Sequence, residues 1–291
     1  MLAELKELWR FRELLWAMVE RELKIRYKNS ALGFLWSLVN PLATVLVITI
    51  VFKLFLRNET PNFSASVLAV YLPFIFFQLC LMDSAQSVLI SLPIIKKVYF
   101  PREILPIASV VANFIHLLLA LGVFFLFLFA VWAKSGFEVS PFTWKLGFLP
   151  LLLLVNLALA MGMSFFISAL NVFYEDVKYA VGVGLYLMFF LTPVMYFAET
   201  VYYAFKSSGQ EWLYYVYNLN PLAMLSTAYR KTLLPDGKIS ITIEAGQPAE
   251  MISPLDFNWV LFGITVAMSF GALVWGYAFF NRLKWKFVER P

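Results

Sequence analysis

Apolar residues fall into runs of ~20, each long enough to cross ~30 Å of hydrocarbon as a helix rising 1.5 Å per residue. Short polar stretches separate the runs. The first runs from about Leu32 to Leu56 and encloses Pro41; the second covers about Val67 to Ile90 and carries Gln78, Asp83 and Gln86. The third, about Ile104 to Trp132, has a length that predicts tilt or an interfacial end. The fourth covers about Leu146 to Leu170, the fifth about Tyr179 to Phe197 with Gly182, Gly184 and Pro193, and the sixth about Phe257 to Phe280. Backbone polar groups in lipid must be satisfied within the chain, so these runs are helices.

Ahead of them, Glu4 to Lys28 follows another rhythm. Leu5, Leu8, Trp9, Trp16, Val19 and Leu23 recur at steps of three and four, with Lys6, Arg10, Glu13, Lys24 and Lys28 opposite; Arg12 and Arg26 interrupt the apolar sector. The pattern predicts an amphipathic helix lying in the membrane interface. Between the fifth and sixth runs, Glu199 to Asp256 is too polar to span but holds helical aromatic segments, and KISITIE alternates like a short strand or hairpin. The fold class is an all-α integral membrane protein: six transmembrane helices, an N-terminal interfacial helix, and short outer-side helices between spans five and six. The chain forms one transmembrane domain over residues 1–291, divided into the N-terminal helix at 1–30, a loop at 91–103 and the polar segment at 199–256.

Composition agrees. The 291 residues are 62% hydrophobic and 14% charged, with mean hydropathy +0.77, against ~25% charged in a soluble domain. Most of the 23 Lys and Arg residues lie in the N-terminal segment, the 91–103 loop, at Lys178 and in the tail NRLKWKFVERP. The positive-inside rule therefore puts both termini in the cytoplasm, as an even number of spans requires. No signal peptide is expected. One cysteine, Cys80, and one histidine, His116, exclude an internal disulfide and a Cys/His metal cluster. No catalytic set and no metal site is expected, and the charge distribution gives no reason to expect nucleic acid.

The loop Ser91 to Glu103, SLPIIKKVYFPRE, is short, basic and aromatic, with Pro93 and Pro101 near its edges. Such a loop transmits a push from a soluble partner into two long helices; an ordinary positive-inside loop has the same composition. RELKIRYKNSALGFLWSLVNPL (Arg21 to Leu42) followed by IKKVYFPREILP (Ile95 to Pro106), with LTPVMY (Leu191 to Tyr196) and NLNPLAMLSTAYR (Asn218 to Arg230), resembles the permease family of type 2 ABC exporters for polysaccharides. That family exports O-antigen, capsule and wall teichoic acid.

The resemblance implies a homodimer of this chain with two separate ATP-binding subunits, in the bacterial cytoplasmic membrane. No G-x-x-x-x-G-K-[ST] phosphate loop occurs here, so ATP and Mg²⁺ are expected on the partner and no cofactor on this chain. By resemblance, the coupling segment contributes Ile94, Lys96, Lys97, Tyr99, Phe100, Arg102 and Glu103, and the N-terminal helix is a gate. Arg21, Lys24, Arg26, Tyr27 and Lys28 are placed to meet the pyrophosphate of a polyprenyl-linked glycan, or equally anionic membrane lipid headgroups. The translocation path is assigned to Trp36, Asn40, Pro41, Asp83, Tyr186, Tyr196 and Tyr217. Where family members often carry Arg before the Asp of the fourth-to-fifth connection, this chain has Tyr174, Glu175 and Asp176.

The aromatics from Tyr196 to Tyr217 fit either a surface over which sugar rings slide or an interfacial belt. Asp83 fits either a polar conduit wall or a tie between helices. The insert from Pro235 to Pro254 receives no role. Two alternatives compete with glycan export: a type 2 exporter of a drug or simple lipid, and a membrane-embedded transferase, against which the missing catalytic set counts.

Overall fold

The computed structural model describes residues 2–27, 35–55, 57–134, 140, 142–241 and 250–288. Helices α1 (Leu2–Arg10) and α2 (Arg12–Tyr27) form a nearly continuous rod, since Phe11 N–H still reaches Glu7 O and Leu8 O at 3.1 Å. Then come α3 (Leu35–Ile50) with a π turn at Val51–Phe55, α4 (Phe63–Ile90), α5 (Leu92–Ile95) and α6 (Ile104–Lys134). A 3₁₀ turn at Trp144–Phe148 opens α7 (Leu149–Phe173), and α8 (Val177–Leu191) follows. The polar segment holds α9 (Ala198–Ser207), α10 (Trp212–Asn218), α11 (Pro221–Leu233), β1 (Ile239–Ile241) and β2 (Glu250–Ile252). Helix α12 (Trp259–Leu283) closes in a 3₁₀ turn at Lys284–Val288.

The fold is that of a helical membrane protein. Among the described residues, four helices are long and apolar enough to cross a bilayer: Phe63–Ile90, Ile104–Lys134, Trp144–Phe173 and Trp259–Phe287, with mean hydropathies of 2.1, 2.8, 2.2 and 1.7. The remaining two expected crossings are shorter apolar helices, Val39–Phe55 and Val177–Leu191. Residues 28–34, where the first expected crossing begins, lie outside the described residues.

The fifth helix ends six residues earlier than its hydropathy predicts. Proline disfavours the helical region for the residue before it, and Thr192 accordingly turns extended (φ −98°, ψ 138°) ahead of Pro193. The chain is all-α apart from one short ribbon in the polar segment, where β1 and β2 pair antiparallel, Ile239 opposite Ile252 and Ile241 opposite Glu250. The strand falls inside KISITIE, but its partner lies beyond that segment.

Helix α4 is the centre of the bundle: 78% of its most apolar window is buried, against 28% for α6 and for α12. It packs between α6 and α7, and α12 lies along α7. Polar side chains at two-turn intervals on α7 donate to α4 backbone carbonyls: Asn156 to Pro73 O at 3.3 Å, Ser164 to Cys80 O at 3.2 Å, and Asn171 to Ala85 O at 2.7 Å. The partner positions rise together along both helices, so α4 and α7 run parallel. Asp83 on α4 accepts from Asn113 of α6 at 2.8 Å, which ties those two helices.

Where α7 meets α12 the backbones touch. A Cβ on Gly162 would lie 2.4 Å from the Ala272 carbonyl, and one on Gly276 would lie 2.0 Å from Gly162 O. Small residues permit such approach, and dispersion then acts over the full helix length. Gly276→Leu is therefore expected to destabilise the bundle by roughly 2–3 kcal/mol, read as a lower thermal midpoint in detergent, whereas Gly263→Leu, which meets open space, leaves it unchanged.

Candidate functional site

Three distant stretches of chain meet at the bundle end that carries both termini. Helix α4 stops at Ser91, whose N–H bonds back to Val88 O at 3.1 Å. Pro93 then starts the single turn α5, where a missing N–H costs nothing. The loop has two faces. Ile94, Lys96, Lys97, Val98 and Tyr99 point outward, with Tyr99 70% exposed. Ile95, Phe100 and Glu103 point inward and are buried.

Two of the residues expected at a partner surface, Phe100 and Glu103, thus belong to the loop's foundation. Phe100 and Ile95 sit in an apolar cluster with Val88, Ile104, Phe280 and Phe287, against which Leu8, Phe11, Leu15 and Met18 of the N-terminal rod pack. Glu103, 2% exposed, pairs with Lys284 at 2.5 Å. A carboxylate that deep requires a partner charge, and the C-terminal 3₁₀ turn supplies it. Arg102 lies over the rings of Trp285 and Phe287, 5.7 and 6.0 Å from their centroids, and burial lowers its pKa from the ordinary guanidinium value.

On the outer surface of the loop, the Tyr99 hydroxyl donates to Glu7 at 2.9 Å. That hydrogen bond to a carboxylate raises the phenol's pKa. The loop is therefore fastened to α1 at Tyr99 and to the C-terminal turn at Glu103 and Arg102. Glu7, Phe11, Lys284, Trp285 and Phe287 were not singled out by the sequence. The 3₁₀ turn points Lys284 and Phe287, three residues apart, inward and leaves Trp285 exposed; a single such turn is too short to separate by sequence from an ordinary basic flank.

The N-terminal rod differs from its sequence reading in one respect. The ridge that packs on the protein is Leu8, Phe11, Leu15, Met18 and Val19, with Val19 seated against the small side chains of Ala108 and Ala112 on α6. Trp9 and Trp16 face outward instead. Among the expected pyrophosphate residues, Arg21 pairs with Glu22 at 2.9 Å and Lys24 with Glu20 at 2.6 Å. The side chains of Arg26 and Tyr27, and Lys28 altogether, lie outside the described residues. So does the Trp36 side chain.

The other expected path residues do not form one cluster. Asn40 is exposed and Pro41 buried on α3, while Tyr186 is exposed on α8. Asp83 takes part in the α4–α6 tie. Tyr196 and Tyr217 do meet, at the opposite end of the bundle, with hydroxyl oxygens 3.2 Å apart and Tyr196 also donating to Phe190 O at 3.0 Å. Burial raises both phenol pKa values. Beside them Arg230 donates to Pro193 O at 2.9 Å and Val194 O at 3.3 Å, 4.5 Å above the Phe197 ring. It closes the turn that Pro193 opens, and burial brings its pKa down to about 10.

The chain matches the ABC-2 type transporter family over residues 13–234. An O-antigen export system permease protein RfbA of Klebsiella pneumoniae is 30% identical over 278 residues, spanning 95% of this chain and 94% of that protein. The protein of the same name from Myxococcus xanthus is 30% identical over 249 residues, 84% of this chain and 91% of its own length. The polysialic acid transport protein KpsM of Escherichia coli is 22% identical over 228 residues, or 75% and 80%.

Lys284→Met leaves Glu103 buried without its cation and is expected to cost roughly 3–5 kcal/mol. Adding Glu103→Gln recovers a large part of that loss, so a double-mutant cycle on thermal unfolding gives a positive coupling energy; additive losses would mean that the pair contributes nothing.

Proposed function

The chain belongs to the ABC-2 type transporter family, and from that premise we propose that it is the permease subunit of a bacterial ATP-driven polysaccharide exporter. The names of its relatives support a polysaccharide cargo. In this reading the chain is a transport subunit without catalytic residues of its own, and ATP and Mg²⁺ are bound by a separate partner. It crosses the cytoplasmic membrane six times, through α3, α4, α6, α7, α8 and α12, with both termini inside.

The observation that carries the coupling assignment is the build of the 91–103 loop. Its outward row is one turn of apolar, basic and aromatic groups that invites a protein partner, and its inward row is clamped to both chain termini. A force applied to Lys96, Lys97 or Tyr99 is delivered through Glu103–Lys284 to α12, through Tyr99–Glu7 to the N-terminal rod, and directly to α4 and α6.

Two copies are needed because one leaves its passage half built. Helices α3 and α8 both lean on α4 and turn apolar residues away from the protein: Leu46 and Val47 on the first, Val183, Tyr186 and Leu187 on the second. Pairing those faces across a two-fold axis encloses a path between the copies. At the inner end the cations of α2 attract the pyrophosphate of a polyprenyl-linked glycan, and at the outer end the Tyr196–Tyr217 pair borders the exit.

Lys96→Glu combined with Lys97→Glu changes exposed side chains and is expected to leave thermal stability intact while abolishing both glycan export in cells and stimulation of the partner's ATPase. Undiminished export would remove the coupling role. Because the one native cysteine, Cys80, is buried, a cysteine at Val98 reports the side directly: a membrane-impermeant maleimide reacts in inverted vesicles and not in intact cells. The reverse labelling overturns the topology.

A further inference from the structure

Resting on the export reading above, we infer that the opposite end of the bundle carries a saccharide-binding cavity, lined in part by Asp236, Gly237, Lys238, Ser253 and Pro254 at the two ends of the 235–254 insert. The cavity has a volume of about 610 Å³ and lies between the start of α7, the start of α12, the end of α11 and the insert. That volume is in the range that encloses a drug-sized ligand and suits a short run of sugar rings better than a single ion.

Its two walls differ in chemistry. One is a continuous aromatic surface. Trp144 meets Phe148 at 5.9 Å between ring centroids, Phe148 meets Trp259 at 5.9 Å, and Trp259 meets Phe257 at 4.8 Å and Phe262 at 6.4 Å. These separations hold the rings in edge and tilted packing, which fixes the platform while leaving the two indoles open: Trp144 is 78% exposed and Trp259 61%. The facing wall is polar and of mixed sign. Lys145 pairs with Asp236 at 2.5 Å, and Lys231 donates to Leu255 O. Lys238 and Asp256, both exposed, make no hydrogen bond or ion pair among the described residues.

A pyranose presents the complement of these walls: an apolar C–H face to lie on an aromatic ring, and a rim of hydroxyls that both donate and accept. Carboxylates accept from such hydroxyls, and each lysine ammonium has three hydrogens to donate, so the paired lysines keep capacity for a ligand. A phospholipid headgroup is the competing occupant, since Trp144 and Trp259 both open spanning helices, where an interfacial belt forms. Charge does not separate the two, because Lys145, Lys231 and Lys238 outnumber Asp236 and Asp256; the sugar is favoured by the open indole faces of Trp144 and Trp259 set opposite carboxylates that accept from hydroxyls. The cavity is separate from the Tyr196–Tyr217 pair, and the insert gives its polar wall Asp236 and Lys238. It would hold the emerging chain beside the exit and bias it against sliding back.

The test uses the full chain in nanodiscs of phosphatidylethanolamine and phosphatidylglycerol. The probe is the set of oligosaccharides released by mild acid from the host cell's own surface polysaccharide, followed by saturation-transfer NMR and calorimetry. Saturable binding is expected, weakened by about tenfold or more in Trp144→Ala with Trp259→Ala and severalfold in Asp256→Asn. Trp275→Phe, on α12 away from the cavity, should bind as the native chain does. Absence of saturable binding, or equal weakening by Trp275→Phe, overturns the inference. So does an unaffected oligosaccharide affinity in the double variant accompanied by loss of co-isolated phospholipid, which makes the cavity a lipid seat. Native unfolding midpoints for the variants guard against loss of fold, and Asp256→Asn changes no ring packing. If export still depends on Lys96 and Lys97 while the native chain binds no oligosaccharide, this inference falls and the export reading stands; if binding persists and charge reversal is silent, the coupling assignment falls instead.

Discussion

A side-chain amide inside hydrocarbon has no water to bond with, and the whole bundle is arranged around that constraint. Asn156, Ser164 and Asn171 are spaced two helical turns apart on α7, and each finds a backbone carbonyl of α4. Because lipid tails are as apolar as leucine, burial by itself does little to bring helices together in a membrane. Register must come from polar partners and shape. The α4–α7 ladder supplies the first, and the Gly162–Gly276 crossing supplies the second. Once α4, α7 and α12 are locked side by side, α6 is held on α4 by Asp83–Asn113, and the shorter helices α3 and α8 are left at the edge.

The long helices end, at the termini, in a shared apolar cluster where Ile95, Phe100, Phe280 and Phe287 interlock. The 91–103 loop stands on this cluster as a plate stands on a post. Its buried ion pair adds little net stability, because desolvation offsets most of the attraction. It does, however, allow only one placement of the C-terminal turn beneath the loop. The two edge helices turn apolar residues outward, Leu46 and Val47 on α3 and Val183 and Leu187 on α8.

At the other end the chain solves a different problem. Pro193 stops α8 short, and the carbonyls that follow would be left without donors in a half-apolar place. Arg230 donates to two of them and lies against Phe197. Asn220 and Asn258 cap α11 and α12 by accepting from Leu222 and Leu261 N–H. Asn58 and Thr60 bond to Ser240 of β1. These bonds fix β1 on the bundle, and the described ends of the insert, with the starts of α7 and α12, wall the aromatic cavity.

Hydropathy alone was enough to identify the membrane class, the four long crossings and the loop at 91–103, because a span depends on a sum over ~20 residues that no neighbour can alter. KISITIE likewise announced a strand by its alternation, though not the partner strand at Glu250–Ile252. Which way a side chain faces is a different kind of fact. Phe100 and Glu103 look like surface residues in a basic loop, and only the arrival of Lys284 and Phe287, some 180 residues later, turns them inward. Trp9 and Trp16 fit the apolar stripe by spacing, yet Leu8, Phe11 and Leu15 occupy the protein-facing groove and leave the indoles outside. The periodicity of one helix shows that it has an apolar side; only the elements packed against it decide which residues of that side are covered.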